Sequence, residues 1–146
     1  MTENEEKAKA WLNRNYGESI YIDSLRRRLE RLESEIDRMT KPLSRRESQI
    51  SHDDNSQENK LTEYLDFLDE LKNKEIMLFN HDLETVNVID KVESYVFRTI
   101  LTERYVNRLK WSAISELTNT EQRTLYRYHS QALDAVLPFI PKGDEL

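Results

Sequence analysis

The sequence has no cysteine and few residues that interrupt helices. Without cysteine, neither a disulfide framework nor a thiolate metal site can form, and a reducing compartment such as the cytoplasm is the expected setting. Only two glycines and three prolines occur in 146 residues, too few for the many turns of an extensive β-sheet. The scarcity of both residue types favours an all-α protein with long helices.

Long apolar runs are missing as well. No segment is apolar enough to span a bilayer, and the acidic start MTENEE is not typical of a signal peptide. Hydrophobic residues make up 37% of the chain and charged residues 34%, a balance that is common in coiled coils. We therefore expect a soluble, cytoplasmic protein that makes no contact with a membrane.

An overall excess of positive charge is also missing, since the net charge is −6. Residues 1–96 carry 15 basic and 22 acidic side chains, whereas residues 97–146 carry 7 and 6. The first part of the chain therefore repels nucleic acid. Any contact with DNA must come from a local basic patch in the second part.

Apolar residues separated by alternating steps of three and four mark the first long helix. They are Ile22, Leu25, Leu29, Leu32, Ile36 and Met39. This spacing is the a/d seam of a coiled coil, with paired charges on the other faces. The helix should end at Lys41, because Pro42 disfavours a helical residue before it. A short upstream helix is expected to stop at Gly17, acting as the left-handed residue after its last turn.

A second apolar pattern follows a polar segment, residues 44–59, which predicts a loop. Its members are Leu61, Tyr64 or Leu65, Leu68, Leu71, Ile76, Phe79, Leu83 and Val86, and its spacing slips near Glu75. Two helical arms joined by a loop predict an antiparallel coiled-coil hairpin over residues 1–85. Because such a seam buries little area, we expect the arm to form a homodimer or to bind a regulatory protein. A plain helical spacer is the alternative.

The segment over residues 86–140 predicts three helices with a polar corner, followed by a tail at 141–146. The candidate core residues are Trp111, Ile114, Leu125 and Leu133. A short helix, a corner and a longer helix are typical of a helix-turn-helix. Thr120 is the predicted N-cap of the last helix, and Asn119 is the residue best suited to a left-handed turn position.

The first turns of that last helix predict a DNA-reading face. Its residues are Gln122, Arg123, Thr124, Tyr126 and Arg127. Glutamine and arginine make bidentate contacts with adenine and guanine edges in the major groove. Upstream, the basic residues Arg98, Arg104, Arg108 and Lys110 are candidates for phosphate contacts. Double-stranded DNA is therefore the expected partner, although Glu121 opposes it unless that carboxylate accepts from a cytosine amine.

Residues 104–133, RYVNRLKWSAISELTNTEQRTLYRYHSQAL, resemble the helix-turn-helix of sigma-factor region 4. The matching positions are Arg104, Tyr105, Trp111, Ile114, Arg127, Ala132 and Leu133. Together with the coiled coil and the run ILTERYV, the whole chain resembles the ArpU-type regulators of late-gene transcription, encoded by phages and prophages of Gram-positive bacteria. The resemblance implies a sequence-specific regulator that activates late genes from phage promoters, together with host RNA polymerase.

The chain departs from the region-4 pattern before the short helix. Arg108 stands where that pattern has glycine, and Lys110 where it has a serine cap. The register between Leu117 and Leu125 is also shifted by one residue, so the N-cap of the last helix is either Thr120 or the residue after it. These departures affect the assignment of individual base-contacting positions more than they affect the motif.

Nothing in the sequence indicates an enzyme, a metal site or a cofactor. The three histidines, His52, His81 and His129, are scattered, and two glycines cannot build a phosphate-binding loop. We expect Trp111 in the core rather than stacked on a base, and His129 packed or at the surface. The alternative function is that of a coiled-coil adaptor, which binds RNA polymerase or another regulator without contacting DNA. The salt dependence of binding separates the two.

Overall fold

The computed structural model describes residues 1–40 and 54–142, and all regular structure in these ranges is helical. In chain order the helices are α1 (Glu3–Leu12), α2 (Tyr16–Thr40), α3 (Asp54–Ile89), α4 (Tyr95–Leu101), α5 (Trp111–Thr118) and α6 (Gln122–Val136). A π-helical turn, Thr102–Val106, extends α4, and a 3-10 turn, Leu137–Phe139, follows α6. The all-α fold class is confirmed. No helix in the described ranges combines the length and apolar character needed to cross a membrane.

Of the two helix boundaries predicted from the sequence, only the end of the first helix falls within the described residues. The expected end of α2 at Lys41 lies outside the described residues, as does most of the predicted loop. The last part of that loop, residues 54–59, is instead the first part of α3. Gly17 does not terminate α1, which ends at Leu12 with Asn13 as its C-cap. Gly17 lies in the first turn of α2 and has no positive φ.

The chain packs as two compact units. The terminal unit combines Met1–Gly17 with the chain from Phe79 onward, and the middle unit is Glu18–Leu78. The sequence predicts that residues 1–17 belong to the arm, whereas the structure packs them with the C-terminal helices.

In the middle unit, α2 and α3 pack side by side in opposite directions. Arg26 of α2 pairs with Glu75 at 2.8 Å, and Glu35, further along α2, pairs with Lys60 at 3.0 Å. As the position rises on one helix it falls on the other, which is the order of an antiparallel pair. The buried residues between them are Ile22, Leu71 and Leu78, with Leu25, Leu29 and Phe67 packed against these. All six residues of the first predicted seam are buried or half-buried.

The second predicted seam on α3 is wrong for about half of its eight positions. The residues that pack toward α2 include Tyr64, Phe67, Leu71 and Leu78, which repeat at three and four residues. Most of the other predicted members are largely solvent-exposed: Leu61, Leu65, Ile76, Phe79 and Leu83. The helix carries two apolar stripes with similar spacing, and periodicity alone did not distinguish the one that packs against α2.

The core of the terminal unit brings α1 against α6. It comprises Ala8, Leu12, Val88, Ile89, Val92, Leu101, Tyr105, Ala132, Leu133 and Val136. Thr2 begins α1 with a reciprocal capping box, since its hydroxyl accepts from the Glu5 amide and the Glu5 carboxylate accepts from the Thr2 amide. The same carboxylate accepts a hydrogen bond from Ser130 of α6. This hydrogen bond connects α1 to α6.

Candidate nucleic-acid interface

The corner between α5 and α6 is closed by backbone hydrogen bonds. The Thr120 amide donates to the Ser115 carbonyl at 3.1 Å, and the Asn119 amide donates to the Glu116 carbonyl at 3.3 Å. This pair of bonds is a Schellman motif, which requires a left-handed residue after the helix. Asn119 adopts that conformation, with φ 51° and ψ 45°. The expectation that asparagine tolerates this position is confirmed.

Of the two positions predicted for the N-cap of α6, Thr120 and the residue after it, the structure has the later one. The N-cap is Glu121, which makes no side-chain capping bond. The Thr120 hydroxyl donates instead to the Thr118 carbonyl at 3.1 Å, and the Ser115 hydroxyl donates to the Thr120 carbonyl at 2.6 Å. The threonine therefore stabilises the corner rather than the start of the next helix.

Arg108 is the second residue in a left-handed conformation. Its φ is 60°, and it lies shortly before α5 where the region-4 pattern has glycine. Its guanidinium makes a two-point ion pair with Asp82 of α3, at 3.0 and 3.2 Å. Both side chains are about one-fifth exposed, at 20% and 21%. Because this charge is already paired, Arg108 is poorly placed for the phosphate contact that we predicted.

The predicted DNA-reading residues lie at the start of α6. Gln122, Arg123, Tyr126 and Arg127 are solvent-exposed, and Thr124 is half-buried. The Tyr126 hydroxyl donates to the Gln122 side-chain oxygen at 3.2 Å, and the Tyr126 ring lies edge-on to Trp111 with centroids 5.4 Å apart. The Tyr126 and Gln122 side chains therefore bond to each other. The exposed Arg123 and Arg127 side chains make no hydrogen bond or ion pair in the described part of the chain, although the Arg127 guanidinium lies 5.6 Å from the centroid of the Tyr128 ring.

Of the four upstream basic residues, three are engaged inside the terminal unit. Arg98 donates to the carbonyls of Val92 at 2.6 Å and Glu93 at 2.9 Å. Arg104 donates to the Leu109 carbonyl at 3.0 Å and lies over the Trp111 ring. Arg108 is the third. Lys110 is exposed at the start of α5, which leaves it as the upstream cation best placed to meet a phosphate.

Two apolar clusters pack against the inner side of the helices that carry the candidate face. Ile114 and Leu125 pack with Ile100 of α4, whereas Leu133 belongs to the larger core that includes α1. Trp111 is half-buried against the smaller cluster. The four core candidates are thus divided between two clusters that share helix α6.

A buried polar pair joins the π-helical turn after α4 to the middle of α6. Tyr105 Oη and His129 Nε2 are hydrogen-bonded at 2.7 Å, and both residues are buried. Burial lowers the pKa of His129 to about 4, with smaller contributions from the Lys9 and Arg104 cations. Burial also raises the pKa of Tyr105 to about 12. Both groups are therefore neutral at pH 7. Their hydrogen bond joins the π-helical turn to α6 without adding charge.

Sequence reasoning missed two of these features. It did not pair Arg108 with Asp82, which lies 26 residues away, or Tyr105 with His129, which lies 24 residues away. An arginine in a glycine position was the one available signal for the first pair. Across the described ranges, no group of three His, Asp or Glu side chains lies close enough together to hold a metal ion.

No protein-family model, no curated protein and no solved structure matches the chain.

Proposed function

We propose that α5, its corner and α6 form a helix-turn-helix that binds double-stranded DNA, with α6 as the recognition helix. The observation that carries the proposal is the pair of left-handed residues on either side of α5. Asn119 sits in the tight turn between the helices, and Arg108 occupies the position where region 4 of sigma factors has glycine. Neither backbone conformation is common for a residue other than glycine, so their joint occurrence favours this motif over an arbitrary helical corner.

The charge at the start of α6 also supports DNA as the partner. Arg123 and Arg127 are exposed on a chain whose net charge is −6, and Lys110 adds a third exposed cation. Arginine is suited to bidentate contacts with guanine, and lysine to contacts with phosphate. Tyr126 presents a half-exposed ring beside them, which suits contact with a base or sugar.

From the resemblance to ArpU-type regulators, we further propose that the protein is encoded by a phage or prophage. In this role it activates late genes from phage promoters in the bacterial cytoplasm, together with host RNA polymerase.

Selection of bound DNA tests the proposal directly. The full chain is incubated with fragmented phage DNA, recovered, and the bound fragments are sequenced; a mobility-shift titration of the enriched fragment then runs from 50 to about 300 mM salt. We expect enrichment of a small set of promoter fragments, with an affinity that falls steeply as salt rises, because bound cations release counterions from the DNA. Uniform recovery of all fragments would reject sequence-specific binding.

An adaptor that binds RNA polymerase or another regulator without contacting DNA is the second candidate. The observation that favours it is the internal engagement of Arg98, Arg104 and Arg108, which removes three cations from the predicted phosphate-binding set. In the same experiment, an adaptor would enrich no DNA fragment but would retain purified host RNA polymerase, with little dependence on salt.

A further inference from the structure

A cleft lies within the terminal unit, where α1, the π-helical turn, α5 and α6 meet. Its volume is about 210 Å³, and all of its wall belongs to that unit. At about 30 Å³ for each water, this is room for roughly seven waters. The cleft is therefore large enough for a small molecule or for one group of a larger one. The side chains on its wall include Lys9, Arg104, Trp111, Tyr126, His129 and Ser130.

The charged side chains on this wall are both cations. Lys9, in the last turn of α1, is half-buried, and its amine makes no hydrogen bond or ion pair within the described ranges. Arg104 is fixed by its bond to the Leu109 carbonyl and by the Trp111 ring, so it adds positive charge from a constant position. Among the described residues, no Asp or Glu side chain forms part of the wall. The cleft therefore favours an anion, with Lys9 as the cation that is free to bind it.

His129 adds a donor that carries no charge. The residue is only 6% exposed, and its Nε2 is hydrogen-bonded to the Tyr105 hydroxyl. Its second ring nitrogen, Nδ1, has no partner in the part of the chain that the structure describes, and it is not sealed from solvent. If Tyr105 donates to Nε2, the neutral ring carries its proton on Nδ1. Because an unpaired polar atom in so buried a side chain is unfavourable, this N–H calls for an acceptor in the cleft.

The electrostatic balance around the His129 ring is positive. Burial is the largest cause of its lowered pKa of about 4, and the Lys9 and Arg104 cations are the next largest. The Glu5 carboxylate acts in the opposite direction with a smaller effect, and it already accepts from the Ser130 hydroxyl and from a backbone amide. An anion beside the ring would therefore be stabilised.

Two aromatic rings connect the cleft to the candidate DNA-reading face. The Trp111 and Tyr126 rings lie edge-on with centroids 5.4 Å apart, and both form part of the wall. Tyr126 is also exposed in the first turns of α6. The cleft therefore borders the surface on which the DNA backbone would lie, and its aromatic side suits an uncharged group such as a sugar.

We propose that this cleft binds a phosphate ester, whose oxygens accept from the Lys9 amine and from His129 Nδ1. A phosphate fits two donors that come from different helices, because it offers several acceptor oxygens to charge-assisted bonds. The ester is either a backbone phosphate of DNA that is bound by α6 or a free phosphorylated small molecule. The first source rests on the proposed function, and the second does not.

Titration of the full chain with inorganic phosphate tests the cleft alone. Ionic strength is held constant by replacing chloride, and long-range proton–nitrogen NMR follows the ring nitrogens of the three histidines. His129→Gln identifies the signals of His129, which should shift saturably toward a ring protonated on Nδ1. Lys9→Gln should weaken the phosphate affinity by at least about 10-fold, because a hydrogen bond to a charged group is lost. Lys7→Gln is the matched control, since Lys7 is exposed on the same helix and pairs with Glu3 at 3.8 Å.

A mobility-shift titration of an enriched promoter fragment, with the same two variants, identifies the source. Each variant removes one positive charge, so a difference between them does not come from net charge. If the source is DNA, Lys9→Gln should reduce the slope of log affinity against log salt by about 0.9, the value for one lost phosphate contact, and Lys7→Gln should leave it unchanged.

The two measurements separate this proposal from DNA binding itself. Phosphate binding that depends on Lys9, with equal DNA binding by both variants, would indicate a free phosphate ester. If the chain binds no DNA at all, the proposed function fails and the phosphate titration alone decides whether the cleft is a phosphate site. The proposal is overturned if Lys9→Gln and Lys7→Gln behave alike in every titration that shows binding, or if neither phosphate nor DNA binds.

Discussion

Arg108 and Asp82 form a two-point ion pair between the segment before α5 and helix α3, with N–O distances of 3.0 and 3.2 Å. The same arginine holds its backbone in the left-handed region at φ 60°. That conformation costs an L-residue about 1–2 kcal/mol relative to a right-handed one, and glycine avoids the cost. The ion pair thus stabilises a segment in which the side-chain contact is favourable and the left-handed backbone conformation is not.

Replacing Arg108 by glycine and by alanine separates these two effects. Both changes leave Asp82 without its partner, so the loss of the ion pair is common to both. The glycine variant should be more stable than the alanine variant by about 1 kcal/mol, because only alanine keeps the unfavourable backbone. Urea unfolding, followed by circular dichroism, measures the difference. An alanine variant as stable as the glycine variant would contradict a left-handed residue at this position.

The recognition-helix assignment predicts that Arg123→Ala and Arg127→Ala each weaken specific DNA binding. A good base contact contributes roughly 1–3 kcal/mol, or about 5- to 150-fold in affinity. Melting temperatures should stay close to wild type because both side chains are exposed. A mobility-shift titration on an enriched fragment gives the affinities.

Gln131→Ala is the control for these variants, since Gln131 is also exposed on α6 but lies about one turn beyond Arg127. It should bind as wild type does. If all three variants bind equally well, α6 does not contact the DNA through its first turns.

Trp111 is predicted to contribute to stability rather than to stack on a base. Its ring lies edge-on to His129, with centroids 4.7 Å apart, and Arg104 lies over it at 4.9 Å. Because the side chain is only half-buried, Trp111→Ala should cost about 2–4 kcal/mol, somewhat less than a fully buried tryptophan. Trp111→Phe keeps a ring in place and should cost less. A thermal melt of both variants measures this, and an unchanged melting temperature for the alanine variant would rule out the core role.

The spacing of apolar residues in the sequence is sufficient to predict the packed face of α2, but not that of α3. In α2 one apolar stripe exists, so Ile22 and Leu32 could only face the core. In α3 two stripes run side by side, and the choice depends on which one meets α2. Phe67 and Leu71 belong to the packed stripe, whereas Leu65 belongs to the exposed one. Local sequence does not encode that choice, because it is made by tertiary contact.

In the candidate interface, too, some features follow from the local sequence and others from contacts between distant residues. Asn119 could be predicted as left-handed because the preference belongs to the residue itself. The engagement of Arg104 and Arg108 could not, because it depends on where the Leu109 carbonyl and the Asp82 carboxylate lie after folding. Basic residues near a motif are therefore weaker predictors of phosphate contact than residues on its exposed helix.

The His129–Tyr105 pair predicts that stability falls as the solution becomes acidic. The pKa of His129 is about 4 in the folded protein, compared with an ordinary value of 6.5, so the unfolded chain binds a proton more readily. Its stabilising contribution is therefore complete above pH 6.5 and is lost as the pH falls from there toward 4. Between pH 7.5 and 5, this one group should reduce the free energy of unfolding by about 2 kcal/mol.

His129→Gln provides the comparison, because an amide can still bond to the Tyr105 hydroxyl but does not titrate. Urea unfolding of both proteins at the two pH values should show a steeper loss for wild type, since all other titrating groups are shared. Equal losses in the two proteins would mean that His129 is not held neutral in the core.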